Sequence, residues 1–216
     1  MKNNENGNVL VYVLIAVGLM AAITFAVSRD GGGQQAERMD DTRADLLATQ
    51  LIQHVASAEQ VIYHMTQWGT DYADLKFDLP GTVDYNTDVT NQVYHPQGGG
   101  LQVPTYSDDV FEGSATRGWQ WQNLTNVEWS PTIATDLIYS FVDVSRPICE
   151  KINEELLASS AVPIMDGGLS NRFIHDVMPN GDFAVSVCTE CENIKSMCVS
   201  HQTGTRYAFY TIIGSR

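Results

Sequence analysis

The chain has 216 residues, with 26 Asp and Glu against 12 Lys and Arg and a formal charge of -14 at pH 7. A phosphate backbone is met by clustered Lys and Arg; the few basic residues here form no patch, which argues against nucleic acid and against an anionic membrane surface as partners. The acidity itself suits a domain facing water.

Residues 1–7, MKNNENG, are a short polar leader, and residues 9–27, VLVYVLIAVGLMAAITFAV, an apolar run without a charge. As a helix the run spans roughly 28 Å at about 1.5 Å per residue, matching the ~30 Å hydrocarbon core of a bilayer. A secretory h-region is shorter, about 7 to 15 residues, and leads into a small-x-small cleavage site. The run therefore predicts a retained transmembrane helix over 8–28. Gly31, Gly32 and Gly33 follow it, and consecutive glycines disfavour helix, so 29–33 is expected to be a hinge. The rest, 34–216, is long enough for one globular domain.

From Gln34 to Gln67 the residues Leu47, Leu51, Val55, Ala58, Ile62 and Met65 recur at three and four, which predicts an amphipathic helix. Gly69 is expected to end it. The segment from Thr70 to Thr132 is rich in turn signals, LPG at 79–81, HPQGGG at 95–100 and VPTYSDD at 103–109. A strand is expected around Gly118–Glu128, where Trp119, Trp121, Val127 and Trp129 alternate locally with polar residues in the manner of sheet core. A second helix is expected over Thr135–Leu157, interrupted at Arg146 and Pro147 because proline disfavours helix in the residue before it. Two strands close the chain, FAVSV at 183–187 and RYAFYTII at 206–213. Both faces of the last are largely apolar, as in a strand covered on two sides.

The four cysteines, Cys149, Cys188, Cys191 and Cys198, fall in the last third. With an apolar anchor, an even count points to an oxidising compartment and up to two disulfides. Three pairings exist, and Cys149 with Cys198 plus Cys188 with Cys191 comes first because it ties a predicted helix to the C-terminal sheet. Cys188, Cys191, Cys198 and His201 also have a spacing that can supply a tetrahedral zinc shell, but only as reduced thiols. Asp84, Asn86 and Asp88 begin like a calcium loop, yet Val89 stands where that loop needs Gly and His95 where it needs Glu; a solvated Asp/Asn turn explains them equally. His54 and His64, ten residues apart, differ by about 80° around a helix and share no ligand face. No nucleophile elbow, HExxH, Walker or dinucleotide motif occurs, so nothing points to an enzyme, a cofactor or a small-molecule substrate.

A short leader ending in Gly7, an apolar segment directly after it, an amphipathic continuation and late cysteines together resemble the type IV pilin and pseudopilin superfamily. The stretch NGNVLVYVLIAVGLMAAITFAVSRD, the HPQGGGL turn at His95–Leu101, the CEKIN segment at Cys149–Asn153 and the closing YAFYTIIGSR look closest to a set of uncharacterised pilin-like membrane proteins of Gram-negative bacteria. The resemblance implies an α+β fold with a long N-terminal helix, half transmembrane and half amphipathic, packed on a small, mainly antiparallel sheet. It also implies processing between Gly7 and Asn8. Where pilins usually carry Glu, this chain has Tyr12, a departure that suits a minor or divergent subunit. Gly18, Ala21 and Ala22 would let neighbouring helices approach closely.

The expected function is thus a structural subunit, single-pass in the inner membrane with its C-terminal domain in the periplasm or on the cell surface, whose partners are the membrane and other pilin-like subunits or itself. The alternative is a non-polymerising membrane-tethered binding domain, and a third reading is a Cys/His zinc-binding domain.

Overall fold

The computed structural model describes residues 40–113, 117–175 and 182–215. Residues 44–216 make one compact unit; of a second, residues 1–43, only 40–43 are described. The first helix, α1, covers 40–67. Ala44, Leu47, Ala48, Leu51, Val55, Ala58, Ile62 and Met65 are all buried because steps of three and four keep them on one side. The helix ends at Gly69, whose φ of +101° suits glycine, and the Thr70 amide reaches back to the Met65 carbonyl at 3.1 Å.

Among the described residues, no helix is long and apolar enough to cross a membrane. That corrects two expectations, the long N-terminal helix with a transmembrane half and the single-pass inner-membrane location. The physical reason lies in α1: Asp45, Gln50, Gln53, Gln60 and His64 are exposed along its outer side, and a hydrocarbon core does not accommodate a helix with such a face. The leader, the apolar run 9–27 and the 29–33 hinge lie outside the described residues.

The sheet is five-stranded and mixed, ordered β1-β2-β5-β4-β3. Its strands are β1 (Gly118–Thr125), β2 (Asp136–Val142), β3 (Ile164–Met165), β4 (Ser196–His201) and β5 (Tyr207–Ser215). The β1–β2, β2–β5 and β4–β5 pairs are antiparallel and β3–β4 is parallel. Two further helices are α2 (Arg146–Leu157) and the single turn α3 (Ser170–Phe173). The helix expected from residue 135 is thus a strand, β2, followed by α2. Every residue of β2 is buried, so it lacks the alternation that marks a half-exposed strand, and a short apolar run does not tell strand from helix. FAVSV is likewise not a strand: Phe183 makes an isolated bridge to Val127, and residues 185–187 turn.

The sheet is covered on both faces. Leu137, Tyr139, Phe141, Tyr207 and Phe209 pack with α1 and with Ile148, Cys149 and Ile152 of α2. Ile138, Val142, Ala208 and Tyr210 belong to a second cluster with Met165, Phe173, Phe183, Cys188 and Cys191. Alternate residues of β2 and β5 therefore serve different cores, so the last strand is covered on two sides as expected, and it is central in the sheet. On β1, Trp119 stacks on Tyr139 with centroids 4.7 Å apart and Trp121 stacks on Phe77 at 5.1 Å.

Candidate functional site

Two places concentrate chemistry-bearing residues, the cysteine clamp between α2 and β4 and the acidic loop over 73–92. In the clamp, Cys149 is bonded to Cys198, while Cys188 is bonded to Cys191 across a turn in the other core; this is the pairing placed first from the sequence. Pro147 starts α2 within its first turn, where a missing N–H is harmless, so Cys149 and Asn153 fall one turn apart on the same buried side. Both grip one residue. The Asn153 amide donates to the Cys198 carbonyl at 2.9 Å and accepts from the Cys198 amide at 2.7 Å, so it replaces a neighbouring strand along that stretch of β4. The same amide donates to the Ala161 carbonyl at 2.8 Å.

The zinc alternative would need reduced thiols. Cys188, Cys191 and Cys198 are held in disulfides, which lack the thiolate that zinc requires, and His201 Nδ1 lies 2.9 Å from the Thr203 hydroxyl. Among the described residues there is no free cysteine and no group of His, Cys, Asp or Glu able to hold a metal ion.

The loop bearing Asp84, Asn86 and Asp88 is organised by a side-chain amide. Gln92 is fully buried; its Nε2 donates to Asp78 Oδ2 at 2.7 Å and to the Asp84 carbonyl at 3.0 Å, while its Oε1 accepts from the Asp78 amide at 3.1 Å. Asp88 is paired with Lys76, whose ammonium is held above its ordinary pKa first by that hydrogen bond. Gln92 does locally what a bound ion does in a calcium loop, gathering carbonyl and carboxylate oxygens around one donor. Sequence reasoning passed over it because its partners precede it in scattered loop positions without a periodic signal. Asn153 did carry a signal, its four-residue spacing from Cys149.

The histidines stay apart. His54 Nε2 lies 3.0 Å from the Tyr139 hydroxyl, which lies 2.5 Å from that of Tyr94. Burial pushes His54 down to about 4 and Tyr94 up to about 12, so this chain between α1, β2 and the loop stays neutral near pH 7. His64 is exposed between Tyr63 and Trp68. His95 caps its own turn by accepting from the Gln97 amide at 3.1 Å, and His175 stacks on Trp121 with centroids 3.9 Å apart. Gly7, Asn8, Tyr12, Gly18, Ala21 and Ala22 lie outside the described residues, so no geometry attaches to processing or to the assembly helix. Compared with models of protein families, with curated proteins and with solved structures, the chain has no match.

Proposed function

We propose that this chain is a structural subunit of pilin type, whose disulfide-closed α+β domain is displayed by α1 to neighbouring subunits. The observation that carries the reading is the seating of one amphipathic helix across β2 and β5, with eight apolar residues buried along it and with the last strand central in the sheet. A helix so seated is fixed to the sheet along its buried side, as a subunit that packs against neighbours through its helix requires. The Cys149–Cys198 bond reinforces the same layer. The leader ending in Gly7 and the HPQGGGL, CEKIN and YAFYTIIGSR segments support the reading by resemblance. A membrane-spanning segment forms no part of it.

Mass spectrometry of the N-terminus of protein from its native host tests the proposal. Expected is a chain beginning at Asn8, with or without methylation. A start at Met1 or Lys2 overturns pilin processing and leaves a binding domain that does not polymerise.

A further inference from the structure

We infer that the pocket at the C-terminal end of α1 is a binding site for a neutral saccharide, a pyranose unit carrying adjacent hydroxyls. The inference stands apart from the assembly reading. Trp68 is 79% exposed, although tryptophan is highly buried on average, and Trp119, Trp121 and Trp129 are all partly buried. An exposed aromatic ring alone is an ordinary surface feature. The second observation is the cavity of about 390 Å³ that the indole borders, between the end of α1 and the turns over 90–91 and 97–98. Met65 apart, the other side chains that line it are polar, those of Thr70, Asp74, Thr90, Asn91 and Gln97. The HPQGGG turn can close on residues 89–92 only because Gly98 lacks a side chain: a Cβ there would collide with the carbonyl oxygens of Gln92 and Val89.

The lining mixes donors and acceptors. Asn91 and Gln97 each present a carboxamide with N–H donors and a carbonyl acceptor, Thr90 a hydroxyl and Asp74 an accepting carboxylate. Among the described residues, the one hydrogen bond these side chains make is from the Thr70 hydroxyl to Asn91 Oδ1, at 3.5 Å. None is sealed off, since Asp74, Thr90 and Gln97 are exposed and Asn91 is partly buried. Asn91 is also held in place: its carbonyl accepts from the Lys76 amide at 2.9 Å and its amide donates to the Asp88 carbonyl at 2.8 Å, and a group fixed beforehand costs less to order on binding. A pyranose matches both halves of the pocket. Its hydroxyls donate and accept, and its C–H face packs on the electron-rich face of an indole. Among the described residues no Lys or Arg lines the pocket, so an anion would find no partner and would meet Asp74. A cation would meet a single carboxylate among neutral groups, and an apolar compound would leave the amides unmet. The described residues also offer no set of His, Cys, Asp or Glu able to hold a metal ion. The volume is that of a small-molecule site.

Two sources carry this chemistry, a free oligosaccharide and the surface of a polysaccharide. Calorimetry of the full chain with cellobiose, lactose and N,N′-diacetylchitobiose, beside co-sedimentation with cellulose and chitin, separates them. Expected is binding of at least one of these, with a Kd between about 0.1 mM and about 10 mM for a free sugar. Binding of a disaccharide identifies the free sugar as a sufficient ligand; co-sedimentation without it identifies the polymer surface. Trp68→Ala should weaken binding about tenfold, and Trp68→Phe, which keeps an aromatic face, about threefold. Gln97→Ala, which deletes one carboxamide, should weaken it about threefold. Both side chains are exposed, so the thermal midpoint should not move. Phenol serves as the counter-probe, because it stacks on an indole but offers a single hydroxyl. Absence of binding by every sugar and polymer, binding unmoved by Trp68→Ala, or binding of phenol in place of the sugars overturns the inference.

Discussion

At the scale of single residues, the side chains that matter most here are buried polar groups serving as joints. Asn153 is the clearest, since its one amide satisfies both the N–H and the C=O of Cys198 on the flank of β4. Asn153→Ala should destabilise the domain by about 2 to 4 kcal/mol, because two buried backbone groups lose their partners, measurable as a lowered urea midpoint without a changed slope. His54 makes a second joint and adds a pH dependence. Its folded pKa of about 4 lies below the ordinary 6.5, so the unfolded chain takes up a proton first as pH falls. Stability is then intact above about pH 6.5 and declines toward pH 4, by up to about 2 kcal/mol. Asp136, whose pKa burial raises, acts in the opposite sense over the acidic range. His54→Gln, which keeps a polar group toward Tyr139, should flatten only the first decline, and denaturation at pH 7 and pH 5 for parent and variant would show it.

Among the elements, α1 was the most legible in the sequence, because one side faces the sheet and the other water and the three-four spacing survives intact. β5 was legible for the opposite reason, both faces apolar. β2 was not: it has the same two-sided burial but runs straight toward a proline-started helix, so local pattern merged the two. The HPQGGG turn shows how a motif noticed as mere turn chemistry acquires a packing role. A Cβ on Gly99 would lie 2.5 Å from Val61 Cγ1 on α1 and 2.5 Å from the Val93 carbonyl oxygen. Gly99→Ala should therefore push the turn off α1 and cost about 1 to 3 kcal/mol, whereas Gly100→Ala meets no atom within 4 Å and is opposed only by its φ of +68°. Thermal melts of the two variants distinguish crowding from backbone conformation.

For the molecule as a whole, one disulfide joins parts far apart in sequence and the other closes a single turn. Cys149 and Cys198 are 49 residues apart, Cys188 and Cys191 only three. On loop-closure entropy the first bond is worth about 4 kcal/mol and the second about 2, so Cys149→Ala/Cys198→Ala should unfold at markedly lower denaturant than Cys188→Ala/Cys191→Ala. A thiol titration of the denatured, unreduced protein should find no free thiols; four would remove the clamp.

By itself the sequence determined the amphipathic helix, the turn-rich middle, the last strand covered on two sides and the even set of late cysteines, because periodicity, glycine and proline act locally and leave a local trace. Only the tertiary structure decided that residues 136–142 are a strand, that α2 and β4 meet through both Cys149 and Asn153, and that Gln92 ties Asp78 to the Asp84 loop. Those outcomes depend on which groups are brought together across the sheet, and burial between two layers erases the alternation from which they would otherwise be inferred.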